Sequence, residues 1–158
     1  MDEMTKTTDP EHLVFEVNST WDGKTGGKLT ATHSGYEVQF DTPTDWGGNS
    51  RALCPDELFM SSVAGCITTT FCYFCRKMKF QPIEFKLKAA GDVDFVQKVR
   101  AYRLTKIVIN AEMLVEEGEE RLGEKCFELS VEYCHITKSI DKCIPIEVNN
   151  LSMRTKAI

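Results

Sequence analysis

The sequence predicts an α+β fold, and three observations support this. Short strand-like segments precede one long uncharged segment, two alternating segments follow it, and an amphipathic segment comes near the end. The resulting order is β-β-β-α-β-β-α-β. The chain has 158 residues and is 42% hydrophobic, which suits one domain with a core of its own. We therefore expect residues 1–158 to form a single domain, with residues 1–10 as a flexible tail.

Three strands are predicted in the first third of the chain, where short segments are rich in β-forming residues. They are residues 13–17, 28–33 and 36–40. Ser34 and Gly35 join the last two strands as a tight hairpin connection. Residues 42–54 include proline, glycine, aspartate and asparagine. These residues are typical of turns, so we expect an irregular loop here.

The longest predicted element is a helix from Pro55 to about Met78. Proline is well placed in a first turn, and Asp56 and Glu57 complement the positive end of the helix dipole. Pro82 prevents much further continuation.

The middle of this helix has an unusual composition. Its segment SSVAGCITTT carries no charge and consists mostly of small residues. A helix that is apolar or small on all sides is a buried one, packed closely by other elements. Gly65 would let another backbone or a ligand approach closely.

The second half of the chain predicts two strands, a helix and a closing strand. The apolar and polar residues alternate in 83–95 and 104–114, as in half-buried strands. Apolar residues fall at helical spacing in 118–133, Cys134 and a short turn follow, and 144–148 completes the fold.

The composition argues against several function classes. The formal net charge is −5 and the pI about 5.3, whereas nucleic-acid surfaces normally show clustered Lys and Arg. The polar N-terminus lacks the apolar core of a secretory signal. We read no apolar run as approaching the roughly 20 residues that span a bilayer. We therefore expect a cytoplasmic protein without nucleic-acid or membrane partners, whose thiols are kept reduced.

Seven cysteines need an explanation, and their odd number excludes a complete set of intrachain bridges. Buried thiols, metal ligands and redox catalysis all remain open. The two-residue spacing of Cys72 and Cys75 lies inside the predicted helix, so we expect core or dimer-interface thiols there. Cys54, Cys126 and Cys143 are interpreted similarly, although Cys54 could also interfere with redox chemistry at Cys66.

Cys66 lies about three turns into the uncharged helix and is either a core residue or a reactive thiol. Asp56 precedes it by ten residues, which is too far for direct contact along one helix. An arginine from a loop could bridge the gap and stabilise the thiolate, the nucleophilic form of cysteine. Simple electrostatics at the helix start is the alternative role for Asp56.

Two motifs resemble those of the OsmC/Ohr family. They are Pro55-Asp56-Glu57-Leu58-Phe59 with Ser61-Ser62-Val63-Ala64-Gly65-Cys66, and Leu129-Ser130-Val131-Glu132-Tyr133-Cys134. The resemblance implies an OsmC-like fold with antiparallel sheets and a long buried central helix. It also implies an intertwined homodimer with both sites at the interface.

The same resemblance implies a peroxidase that reduces organic hydroperoxides. Cys66 would attack the peroxide to give a sulfenic acid, and Cys134 would condense with it to a disulfide. An external dithiol of the lipoyl type would reduce that disulfide, with no bound cofactor or metal. Asp56 occupies the place where relatives carry an acid that orients a catalytic arginine.

The arginine is where the sequence departs from the family pattern. In Ohr-like relatives it follows Thr-Gly-Gly, where this chain has Lys28; in OsmC-like relatives it lies in the loop before the long helix, where Arg51 stands. We choose Arg51 because lysine lacks the planar fork, and a solvated loop charge remains the alternative. His135 follows Cys134 where Pro is common, and it would tune Cys134 or, by default, face water.

Two other functions remain open. One is a non-enzymatic OsmC-like protein that binds a small hydrophobic ligand. The other is a metal or iron–sulfur protein using Cys66, Cys72 and Cys75, which a regular helix disfavours because it points Cys66 and Cys75 to nearly opposite sides. Aromatic residues near the long helix form core or a channel for bulky peroxides; they are Phe59, Phe71, Tyr73, Phe74 and Phe80.

Overall fold

The structure, a computed structural model, describes residues 12–157. The predicted tail, residues 1–10, lies outside the described residues. The chain divides into two compact units, one ending at Pro55 and the other beginning at Asp56. The single domain that we expect over residues 1–158 stays a prediction.

The first unit contains a three-stranded antiparallel sheet in the order β1-β2-β3. Its strands are β1 (Val17–Trp21), β2 (Gly26–Ala31) and β3 (Glu37–Asp41). The predictions for β2 and β3 are confirmed to within two residues. The prediction of a strand at 13–17 is wrong by four residues, because the turn after Trp21 sets the register and pairs Trp21 with Gly27 and Val17 with Ala31.

The connections in the first unit follow the sequence prediction. Gly35 adopts a positive φ of 71° in the β2–β3 hairpin, a conformation that glycine reaches without steric cost. The stretch 42–54 is irregular apart from a short 3-10 turn at Thr44–Trp46. It returns to the sheet where Leu53 bridges Phe40.

The second unit opens with helix α1 (Pro55–Met78), whose bounds confirm the sequence prediction. The helix ends in a Schellman motif: the N–H of Phe80 donates to the carbonyl of Cys75 at 2.9 Å, and that of Lys79 to the carbonyl of Arg76 at 3.3 Å. Lys79 therefore has a φ of 54°, in the left-handed region.

A second three-stranded sheet follows, in the order β4-β5-β6. Its strands are β4 (Glu84–Val96), β5 (Ala101–Glu116) and β6 (Ile146–Lys156). The strands β4 and β5 pair antiparallel, but β6 pairs parallel to β5. The expectation of purely antiparallel sheets is therefore wrong.

Two helices between β5 and β6 explain the parallel pairing. They are α2 (Glu120–Tyr133) and α3 (His135–Ile140). A helical crossover of this length carries the chain back to the end of the sheet where it started, so the next strand runs parallel. The sequence predicted only a short turn where α3 forms.

Helix α1 packs through one face against the second sheet. Its buried residues share one hydrophobic cluster with β5 residues such as Ile107 and Ile109. Phe71 stacks on Phe85 of β4 with ring centroids 4.0 Å apart. The buried residues of α1 are Val63, Cys66, Ile67, Phe71 and Cys75.

The opposite face of α1 is exposed within this chain. Ser62, Thr69 and Cys72 are exposed there, and a Cβ built on Gly65 would meet no atom within 4 Å. Burial on all sides, and close approach at Gly65, are therefore not found within the single chain.

By length and composition, α1 could cross a membrane: it has 24 residues and a mean hydropathy of 1.5 over its most apolar window. The expectation that no apolar segment reaches that length is wrong. Because five of its side chains are buried in one cluster with the second sheet, α1 has the character of a core helix.

Candidate active site

The fold of the second unit brings Cys66 and Cys134 together. Cys66 lies in the middle of α1, and Cys134 lies between α2 and α3 in an extended conformation. Both belong to the same buried cluster, with exposed fractions of 7% and 0%. Their thiol groups interact. The two cysteines that the sequence singled out therefore share one site, although their catalytic roles stay a prediction.

His135 joins this pair. Its Nδ1 atom lies 3.5 Å from the Sγ atom of Cys66, within hydrogen-bonding distance for sulfur. The residue as a whole is exposed, but the expectation that its ring simply faces water is wrong. The contact joins residues that are sixty-nine positions apart, so no local pattern could reveal it. The only sequence signal was a histidine directly after the second cysteine.

The surroundings of Cys66 in this unit favour the neutral thiol. Burial raises the pKa of Cys66, and the neighbouring Cys134 thiol raises it further. The backbone N–H of Ile136 and the Thr70 hydroxyl act in the opposite direction. The net direction is opposite to the lowered pKa that we expected, so ionisation of Cys66 needs a base or a cation.

Arg51, the predicted activating cation, is held by two carboxylates of the first unit. Its Nε atom lies 2.7 Å from Oδ2 of Asp41, and its Nη2 atom 2.6 Å from Oδ2 of Asp22. Asp41 and Asp22 together raise the pKa of Arg51. Neither carboxylate was a candidate from sequence, because they lie ten and twenty-nine positions away from Arg51.

Asp41 is a fully bonded buried carboxylate. It accepts hydrogen bonds from the Thr25 hydroxyl at 2.6 Å and from the N–H of Thr42 at 2.9 Å, besides those from Arg51. Arg51 and then Thr25 hold the pKa of Asp41 far below its usual range. Its bonds fix the orientation of the guanidinium.

Lys28, the alternative cation, forms an ion pair across the first sheet. Its Nζ atom lies 2.7 Å from Oε1 of Glu37, with both side chains about half exposed. The hydrogen bond from Lys28 lowers the pKa of Glu37. A solvent-exposed ion pair of this kind contributes little to the stability of the fold. In this arrangement the ammonium group of Lys28 is bound to Glu37.

Asp56 lies exposed in the first turn of α1. It lines a cavity of about 570 Å³ between α1 and the strands β4 and β5, together with Met60, Leu87 and Leu104. The helical rise separates it from Cys66 by about 15 Å along the axis. Its role in orienting an arginine stays a prediction.

Cys75 and Cys126 form a second buried thiol pair. Burial, and then Cys126, raise the pKa of Cys75 to about 12. Cys126 also contacts the sulfur of Met78 at 3.5 Å. Both lie in the core, as expected. Cys72 and Cys143 are exposed and Cys54 is intermediate, so the expectation of a core thiol is wrong for Cys72 and Cys143, and a place in a dimer interface stays a prediction.

Within residues 12–157 no group of three or more His, Cys, Asp or Glu side chains is arranged to hold a metal ion. Cys66 and Cys75 each interact with a different cysteine of the second half of the chain. A site shared by Cys66, Cys72 and Cys75 therefore has no support in this geometry.

The family model for OsmC-like proteins matches residues 47–149, which is more than half of the chain. The chain belongs to the OsmC family. This confirms the resemblance on which the two cysteine motifs were interpreted. Among curated proteins no sequence matches the chain significantly.

Solved structures share this fold. An organic hydroperoxide resistance protein from Elizabethkingia anophelis is 16% identical with a TM-score of 0.73, covering 90% of this chain and 98% of its own. An OsmC-like protein from Mycoplasma pneumoniae is 9% identical with a TM-score of 0.72, covering 92% and 98%.

A third structure, an organic hydroperoxide resistance protein OsmC from Legionella pneumophila, is 14% identical with a TM-score of 0.68. It covers 89% of this chain and 97% of its own. At such identities the likeness establishes the α+β fold of this OsmC-family chain, and the chemistry has to be argued from the site.

Proposed function

We propose that this OsmC-family protein is a thiol-dependent peroxidase that reduces organic hydroperoxides. The observation that carries the proposal is the interaction of Cys66 and Cys134 in one buried site, on elements far apart in sequence. Two relatives of known structure are named organic hydroperoxide resistance proteins. Cys66 is the attacking thiol and Cys134 the resolving thiol.

The reaction has two steps. The Cys66 sulfur attacks the terminal oxygen of the hydroperoxide, an S–O bond forms as the O–O bond breaks, and the alcohol leaves with the thiol proton. The Cys134 sulfur then attacks the sulfenic acid of Cys66, forming the disulfide and releasing water. A dithiol reductant returns both thiols, and is itself oxidised to a disulfide.

The aromatic surroundings favour organic peroxides over hydrogen peroxide. Phe71 and Phe80 belong to the core, whereas Phe74 packs on Tyr133, the residue before Cys134, with ring centroids 5.7 Å apart. An apolar wall beside the second cysteine would bind a bulky alkyl group through burial of its surface. Hydrogen peroxide offers no such surface.

A second copy of the chain is the proposed partner of the open face of α1. This face is uncharged from Ser61 to Phe74 and is exposed in the chain at Ser62, Gly65 and Thr69. Covering it in an intertwined homodimer would give the long buried central helix. Small residues allow such helices to approach closely.

The remaining parts of the proposal follow from family membership and composition. Arg51, held by carboxylates, is the proposed cation beside the reacting thiol, with Asp56 helping to orient it. A slender lipoyl-type dithiol is the proposed reductant, since a disulfide at this buried site excludes bulky reagents. We place the protein in the cytoplasm, without a nucleic-acid or membrane partner and without a bound cofactor.

Peroxide consumption by pure protein with a lipoyl-type dithiol tests the proposal. The wild type should consume cumene hydroperoxide faster than hydrogen peroxide. Cys66→Ser should be inactive, and Cys134→Ser should complete a single turnover without forming the disulfide. Cys143→Ser, which changes an exposed cysteine, is the matched control and should behave as the wild type. Retained turnover in Cys66→Ser would end the proposal.

The second candidate is a non-enzymatic protein that binds a small hydrophobic ligand. It is favoured by the raised pKa of Cys66 and by a cavity of about 580 Å³. Apolar side chains such as Phe127, Val131 and Leu151 line this cavity, and charged residues that include Glu128 and Lys138 line it as well. Native mass spectrometry of the purified protein tests it. A bound lipid-like molecule together with no peroxide consumption would support this candidate over the peroxidase.

A further inference from the structure

We propose that His135 is a catalytic residue, which takes the proton of Cys66 and returns it to the departing alcohol oxygen. The inference rests on the proposed peroxidase function and deepens it. The observation that carries it is the 3.5 Å contact between Nδ1 of His135 and Sγ of Cys66. A histidine beside a cysteine is a general way to activate a thiol.

Burial makes such a base necessary at this site. Cys66 is buried among apolar side chains and beside a second thiol, and both keep it protonated. His135 is exposed, so water can solvate its ring when the ring is charged. Proton transfer from sulfur to Nδ1 thus moves the positive charge towards solvent and leaves a thiolate in the site.

The thiolate has a second source of stabilisation at the same place. The backbone N–H of Ile136, the residue after His135, lowers the pKa of the Cys66 thiol. Hydrogen bonding to the charged form favours ionisation. One short stretch of chain therefore supplies both the proton acceptor and a donor to the resulting anion.

The two cations considered from sequence already have carboxylate partners within the first unit. Arg51 is held by Asp41 and Asp22, and Lys28 by Glu37. A cation made in place, by protonation of His135, does not depend on either of them. His135 is thus the group through which the second unit can ionise Cys66 with its own residues.

The charged and titratable groups near His135 in the second unit bear on its role as a base. Cys66 faces it from α1, and Cys134 at the end of α2 interacts with Cys66. On α3 itself, Lys138 follows by three positions and is paired with Asp141 at 3.8 Å. The charge of Lys138 is thus balanced, and Cys66 is the group that stabilises a positive ring.

With His135 acting first as a base and then as an acid, every proton of the first step is accounted for. The Cys66 thiol proton moves to Nδ1, the thiolate attacks the terminal peroxide oxygen, and the O–O bond breaks. The imidazolium then donates its proton to the alkoxide. The products are the sulfenic acid of Cys66, the alcohol and neutral His135, so no external acid or base is consumed.

Alkylation of Cys66 by iodoacetamide, followed by mass spectrometry of its peptide, tests the pair without any peroxide. At about pH 6 the wild type should react roughly tenfold faster than His135→Asn, and the gap should narrow as the thiol ionises at higher pH. Lys138→Gln, which changes a charge on the same helix but keeps the ring, should match the wild type. Equal rates for wild type and His135→Asn at every pH would overturn the inference.

The ¹⁵N chemical shift of the His135 ring gives an independent test that needs no histidine variant. The Nδ1 signal should move between the wild type and Cys66→Ala, because that variant removes the sulfur that contacts this nitrogen. An unchanged signal would contradict the contact. If the wild type consumes no peroxide, the proposed function fails, while these two measurements still report on the contact of His135 with Cys66. If the wild type consumes peroxide but both measurements are negative, the peroxidase function stands and only the role of His135 fails.

Discussion

The Nε atom of Arg51 lies 2.7 Å from Oδ2 of Asp41, and the Arg51 backbone N–H donates to the same oxygen at 3.0 Å. Asp41 is only 1% exposed. The pair therefore fastens the end of the 42–54 loop to the end of β3. It also fixes the one arginine that precedes α1 within that loop.

Replacement of Asp41 by Asn should lower the melting temperature by several degrees at neutral pH, because the buried bonds to Arg51 lose their charge. The pKa of Asp41 is lowered in the fold, so its contribution is present above the unfolded pKa of about 3.9. That contribution disappears as the pH falls towards the folded pKa. The difference between wild type and Asp41→Asn should therefore shrink below about pH 4.

Thermal melts of both proteins across acidic pH check this prediction. Asp45→Asn, which removes a carboxylate from the short turn in the same loop, is the matched control and should melt like the wild type. A wild-type advantage that grows on acidification would contradict the assigned ion pair.

Lys79→Gly should raise the free energy of unfolding by about 1 kcal/mol, because Lys79 has a φ of 54° at the end of α1 and glycine adopts this conformation without steric cost. Denaturant unfolding measures the change. Lys79→Ala loses the same side chain but keeps a Cβ, so it should give no gain. If the two substitutions change the free energy of unfolding equally, the change comes from loss of the lysine side chain and not from the backbone conformation.

Cys75 should resist alkylation in the native protein, because burial raises its pKa to about 12. At about pH 8 only roughly one in ten thousand of its molecules would be thiolate. Cys143, which is exposed and lies outside the open face of α1, should be labelled before it. Mass spectrometry of peptides after timed labelling shows the order, and early labelling of Cys75 would contradict its place in the core.

Gly65→Arg should convert a homodimer into a monomer that remains folded. Within the chain a side chain at this position meets no atom within 4 Å, whereas a partner seated on α1 would be pushed away by the bulk and charge of arginine. Size-exclusion chromatography with light scattering measures the mass. Ser34→Arg, at the exposed β2–β3 hairpin, is the control, and a dimer that persists in Gly65→Arg would place the interface elsewhere.

The elements that could be predicted from sequence are those with local signals. Pro55 and its neighbouring acids mark the start of α1, and the end of the helix and the hairpin at Gly35 also follow from nearby residues. The parallel pairing of β6 could not be predicted, because it depends on how α2 and α3 return the chain to the sheet. Short α3 lacks a side-chain cap that would announce it.

In the candidate site, too, some features follow from local sequence and others depend on the fold. The motifs around Cys66 and Cys134 identified the two thiols, and the fold brings them into one cluster. The contact of His135 with Cys66 and the bonds of Arg51 to Asp41 and Asp22 depend on tertiary structure. Periodicity in the sequence carries no information about such pairs.

Disulfide mapping after one equivalent of cumene hydroperoxide tests whether Cys66 and Cys134 form a redox pair. Peptide mass spectrometry of the non-reduced wild-type protein should find Cys66 joined to Cys134, with Cys75 and Cys126 still reduced. Cys134→Ser should instead carry a sulfenic acid on Cys66. Oxidation that leaves both Cys66 and Cys134 as free thiols, or that joins other cysteines first, would show that these two residues are not the redox pair.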